Sequence, residues 1–131
     1  MDRKKLFKHL ACPAFLILAI NFLANKFYRY SSIWYFDIIM HFLGGLWVGL
    51  AFLYFFPLHP TLPLVREGIK EGVRVLLFVL LIAVGWEVFE FFVNDVIAQN
   101  PFNFLDTISD ILFGISGGLC AILYSWKKQL K

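Results

Sequence analysis

Asp37 and His41 stand four residues apart, Glu87 and Glu90 three apart, and Asp106 and Asp110 four apart. Spacing of three or four sets both members of a pair on one face of a helix. Each pair lies in, or at the start of, an apolar run: FDIIMHFLGG, GWEVFEFF and FLDTISDILFG. Ionisable groups in membrane helices are costly and face the bundle interior, so each is a candidate functional residue. Carboxylates with one imidazole suit a divalent metal ion, Zn, Mn, Fe or Mg, and without a thiolate the softer metals are disfavoured. In that chemistry His41, Glu87, Asp106 and Asp110 hold the ion, which lowers the pKa of a bound water. Asp37 or Glu90 acts as general base. A di-iron bundle of the usual kind needs Glu-x-x-His on two helices, a pattern absent here.

No Lys or Arg lies between Trp34 and Phe56 or between Val75 and Trp126. Carboxylates cannot share a low-dielectric layer ionised and unpaired. Either several are protonated or a bound cation holds them. Simpler roles exist for single members. Asp106 and Asp37 can cap the helices they begin, since a carboxylate accepts from first-turn amides and favours the positive end of the helix dipole. Glu90 and Asp95 can be hydrated at the membrane surface, and the whole set can act as polar glue between helices. His9 and His59 have no acids at their level.

The elements that must position these groups follow from composition. The chain has 131 residues, 60% hydrophobic, 19% aromatic and only 16% charged. A soluble core of that size cannot hide so much aromatic surface, and the excess must face lipid. A span needs about 20 mostly apolar residues, and four stretches qualify, at about 10–27, 34–56, 73–97 and 104–126. The expected fold is therefore an all-α, four-transmembrane-helix bundle, a single membrane domain over residues 1–131. Arg3, Lys4 and Lys5 before an apolar run resemble a signal peptide, but Phe22 occupies a place where cleavage needs a small residue, so the first helix is read as retained. Cys12 and Cys120 lie in apolar runs without metal-site spacing. The net charge of +3 is too mild for nucleic-acid binding.

Lys and Arg concentrate on the cytoplasmic side of short loops. With the N-terminus inside, Arg3, Lys4, Lys5, Lys8, Arg66, Lys70, Arg74, Lys127, Lys128 and Lys131 are cytoplasmic, leaving Lys26 and Arg29 outside. Both termini are then cytoplasmic, in a multi-pass protein of a prokaryotic plasma (inner) membrane. At a rise of about 1.5 Å per residue, His41 lies ~10 Å, Glu87 ~15 Å and Asp110 ~9 Å below the outer helix ends. The three pairs therefore share one layer in the outer half. Gly45 and Gly49, and Gly114 and Gly118, form small-xxx-small steps just inward of the Asp37/His41 and Asp106/Asp110 pairs, which predicts close contact between the second and fourth helices.

The succession Asp37-x3-His41-x2-Gly44, Trp86-Glu87-x2-Glu90 and Asp106-Thr107-x2-Asp110-x3-Gly114 resembles the YjdF-type family of small inner-membrane proteins and, more loosely, the VanZ-like family. The resemblance covers about residues 36–121. It implies the same site residues and leaves the chemistry open.

Three functions fit. The first is a metal-dependent membrane hydrolase acting at the outer leaflet on an amphiphilic or lipid-linked substrate. The second is binding or transport of a divalent cation or of protons, although the inner half of each span has few polar residues to form a pathway. The third is a structural or accessory membrane protein. The expected partners are the lipid bilayer and the amphiphilic substrate, with a homo-oligomer also allowed.

Overall fold

A computed structural model of the protein describes residues 3–26, 34–56, 65–93 and 102–129. All of its regular structure is helical: α1 (Arg3–Lys26), α2 (Trp34–Phe55), α3 (Val65–Phe91) and α4 (Phe104–Gln129). Three helices are long and apolar enough to cross a membrane, over Tyr35–Phe55, Gly68–Phe91 and Phe104–Lys127. In α1 the apolar stretch is the shorter Leu10–Ile20. The reason is at its two ends, where Lys4, Lys5 and Lys8 precede the apolar run and Asn21, Asn25 and Lys26 follow it.

Helix α3 begins at Val65 rather than Val73. Its first turns carry Glu67 with Lys70 and Glu71 with Arg74, opposite charges three residues apart that favour a helix where water reaches it. At the other end the helix runs to Phe91 and continues as a π turn at Phe92 and Val93, and the expected end at Ile97 lies outside the described residues. Residues 94–101, with Asp95, lie outside the described residues. Helix α4 starts where expected because Asn103 caps it. The Asp106 N–H donates to Asn103 Oδ1 at 3.4 Å, and the Thr107 N–H to the Asn103 carbonyl at 3.2 Å.

Helix α4 packs on both α2 and α3, which also meet each other, while α1 rests on α2 alone among the described residues. The α2–α4 contact is made backbone to backbone. A Cβ on Gly45 would overlap the Gly114 backbone, one on Gly117 would overlap Phe42 and Leu46, and one on Gly49 would stand 2.9 Å from the Ala121 Cβ. Gly45 faces Gly114 and Gly49 faces Gly118, so both helices advance together in one parallel register. Helix α3 runs the opposite way along α4, with Ala83 beside Gly114, Val79 beside Gly118, and Gly72 beside Ile122. Here the contact is made by side chains. Leu53, Val75, Val79, Ala121 and Ile122 form a small aliphatic core, flanked by Leu46, Leu50 and Leu76. Elsewhere the surface is apolar: Phe15, Leu81, Leu105, Leu112 and Leu123 are all exposed, as lipid contact requires.

Helix α1 is tied to α2 by one polar contact. Pro13 has no N–H, which leaves the carbonyl four residues before it without its helical partner and crowds that turn. Trp47 Nε1 donates to the next carbonyl, Leu10 O, at 2.8 Å. A neighbouring helix thus supplies a donor where the proline disturbs the ladder.

Candidate functional site

His41 and Asp110 each sit one helical turn before a glycine of the α2–α4 seam, Gly45 and Gly114 respectively. The parallel register that joins those glycines brings His41 opposite Asp110. Asp37, one turn before His41 on α2, points to the same place. Helix α3 delivers Glu87 one turn beyond Ala83, its contact with Gly114.

The imidazole is the centre of the cluster. His41 Nε2 lies 3.6 Å from Asp37 Oδ1 and 3.8 Å from Asp110 Oδ2, and Nδ1 lies 3.8 Å from Glu87 Oε1. Both ring nitrogens therefore face carboxylates, and these come from three helices. The side chains of Asp110, Glu87 and His41 are 3%, 10% and 10% exposed, while Asp37 is 28% exposed and forms the open edge. These separations are too long for hydrogen bonds. They match two ligands on one small divalent ion, because bonds of about 2.0–2.2 Å at tetrahedral to trigonal angles put neighbouring donors roughly 3.3–3.8 Å apart.

Two groups of three can each offer donor atoms within 4.8 Å of one another: Asp37, His41 and Asp110, and His41, Glu87 and Glu90. His41 belongs to both. Among the described residues, two buried side-chain oxygens have no hydrogen-bond partner, Glu87 Oε1 and Asp110 Oδ1. Such atoms carry a desolvation cost that only a donor, a proton or a cation removes.

Of the six residues singled out from sequence, the four carboxylates Asp37, Glu87, Glu90 and Asp110 gather around the His41 imidazole and Asp106 does not. Asp106 is exposed in the first turn of α4 and falls in neither group. Its backbone N–H takes the Asn103 cap, and its carbonyl accepts from the Ser109 hydroxyl at 2.8 Å. Thr107 is a partner that the sequence reading did not assign. Its side chain stands beside the Glu87 carboxylate. The available signal was a hydroxyl three residues before Asp110, hence on the same helix face.

A family model described as "Predicted membrane protein (DUF2238)" matches residues 2–130. No curated protein and no solved structure matches the chain.

Proposed function

The chain belongs to this DUF2238 family of predicted membrane proteins, and from its His/carboxylate cluster we propose that it is a metal-dependent membrane hydrolase. In this reading the Asp37/His41/Glu87/Glu90/Asp110 cluster binds a divalent ion in the outer half of the bundle and serves an amphiphilic or lipid-linked substrate. One observation carries the reading. A single imidazole sits 3.6–3.8 Å from three carboxylates, at ligand-to-ligand spacing, and two of these carboxylates hold buried oxygens without partners. No Lys or Arg lies between residues 34 and 56 or between residues 75 and 126 to balance them.

The bound ion would act as a Lewis acid and make water acidic enough to ionise near neutral pH. Asp37 is the most exposed of the three carboxylates facing His41, and in this reading it meets the polar headgroup. Glu90, which shares a group with His41 and Glu87, would take the proton from attacking water. The surrounding lipid-facing aromatics, Trp86 and Phe89, suit the apolar part of such a substrate.

The topology belongs to the same proposal. Helix α1 is the fourth span, both termini are cytoplasmic by the distribution of Lys and Arg, and the membrane is a prokaryotic inner membrane. The YjdF-type and VanZ-like resemblance supports the residue set through its shared Asp/His, Glu and Asp succession. Cysteine labelling tests the orientation: outside labelling at positions replacing Lys4 or Lys128 overturns it.

The metal content of purified protein tests the site. Wild type is expected to hold divalent metal in stoichiometric amount and His41→Ala, which disrupts both groups, to hold none. Chelation should also abolish release of headgroups from amphiphilic esters in proteoliposomes. A wild-type protein that is metal-free and indifferent to chelator and to added ions would replace this reading with protonated carboxylates bonded between helices.

A further inference from the structure

The two groups that share His41 are not equivalent. A neutral imidazole has one nitrogen with a free lone pair and one that carries a proton, so it can ligate an ion on one side only. On the Nε2 side stand Asp37 and Asp110. Asp37 and His41 share α2, Asp110 is on α4, and these helices touch through the glycine backbones of Gly45, Gly114 and Gly117 one turn further along. Backbone contact leaves little freedom, and aspartate side chains are short, so the donors on this side are held by the least deformable part of the molecule. Asp110 is also the most buried carboxylate facing His41, and its Oδ1 lacks a partner.

The Nδ1 side differs. Glu87 is carried by α3, which meets α4 through side chains such as Val79 and Ala83, and it reaches the ring on a longer stem. Thr107 stands beside its carboxylate, and Oε1, the oxygen that faces Nδ1, is buried without a hydrogen-bond partner. An acceptor aimed at the second nitrogen of a histidine is the arrangement that sets tautomer and ring orientation in metal sites.

We infer that His41 divides its nitrogens between two tasks, Nε2 joining Asp37 and Asp110 to hold a divalent ion on the α2–α4 seam, and Nδ1–H facing Glu87, a positioning residue whose carboxylate closes from 3.8 Å to hydrogen-bond distance when the ion binds. This rests on the metal-binding reading above and refines it by separating Glu87 from the ligands.

Cobalt(II) added to the purified protein reports the ligand set through its visible absorption bands. Asp37→Asn and Asp110→Asn should shift those bands and weaken binding by more than about a hundredfold. Glu87→Gln retains an acceptor oxygen and should leave the bands in place with affinity within about tenfold, whereas Glu87→Ala should lose about 10–100-fold with unchanged bands. An independent measurement needs no change at the site. In 15N-histidine-labelled His9→Gln/His59→Gln protein, Zn2+ should move the Nε2 resonance of His41 and leave Nδ1 protonated. Band shifts and loss of binding in Glu87→Gln equal to those of Asp110→Asn, or Zn2+ moving Nδ1, would overturn the assignment while leaving the metal site standing. Wild type that gives no cobalt bands at all would refute the metal reading and this inference with it.

Discussion

The same three helices behave differently at two levels. Where α2 and α4 begin, they and α3 surround His41 with Asp37, Glu87 and Asp110. Three turns further along α2 and α4, the buried contacts are Leu53, Val75, Val79, Ala121 and Ile122. In lipid the aliphatic level gains nothing from leaving water, since the tails outside are as apolar as the core, and its cohesion comes from close packing. The polar level could not exist facing lipid at all. Its groups must meet each other, and their mutual placement depends on the aliphatic level and the glycine seam holding the helices in register. One level supplies geometry and the other chemistry, so changes at each should separate cleanly.

The greatest effect should come from the seam that joins them. Gly45→Leu forces a side chain into the Gly114 backbone, well beyond the roughly 1–3 kcal/mol of ordinary overpacking. The folded, monodisperse species in detergent should be lost, as read by size exclusion and thermal melting, together with metal binding. Survival of both would break the comparison at its root.

Next in size is the polar level alone. Wild type should gain about 2.7 kcal/mol in thermal stability with a divalent ion at a hundred times its Kd, and His41→Ala should gain none. The wild-type gain should shrink as pH falls, because protons compete for the imidazole and the carboxylates that the ion requires deprotonated. The sign is therefore stability rising with pH in the presence of metal. A gain that grows on acidification would contradict a metal bound by these groups.

Val79→Ala tests the aliphatic level. Val79 is fully buried and packs on Gly118. The cavity should cost roughly 1–2 kcal/mol at any pH and leave the ion's affinity unchanged. A tenfold fall in affinity would show that the two levels are coupled.

Trp47→Phe should be the smallest change. It removes the bond to Leu10 O, worth about 0.5–1.5 kcal/mol, and should loosen α1 without touching either level. Faster hydrogen exchange confined to α1 would be the sign, whereas altered exchange across α3 would mean that α1 supports more of the bundle than α2 alone.

The paired spacings predict one cluster of Asp37, His41, Glu87, Glu90, Asp106 and Asp110, because helical periodicity fixes which residues share a face and apolar flanks point that face inward, and the structure brings all but Asp106 into the two donor groups. The glycine steps likewise predicted the α2–α4 contact, although Gly117, which meets Phe42 and Leu46, lies off the small-xxx-small pattern and went unread. The place of Asp106 was not legible. Four residues separate it from Asp110, yet at the first turn of α4 it is exposed beside the Asn103 cap and outside both donor groups. The start of α3 at Val65 is not legible either, because the apolar run begins only at Val73 and the charged turns before it belong to the same helix, which accepts them where water reaches it.

Composition and period, which act within one segment, determined that the chain is helical and membrane-spanning and that its helices carry carboxylates and an imidazole on inward faces, though they predicted four spans where three of the described helices are long and apolar enough to cross. Only the tertiary structure decided which nitrogen of His41 faces which carboxylate, that Thr107 stands beside Glu87, and that a tryptophan on α2 answers the proline of α1. Those pairings depend on the register between helices far apart in sequence. That register is set by how closely backbones approach at Gly45, Gly114 and Gly117, a steric property of two surfaces together that neither surface carries alone.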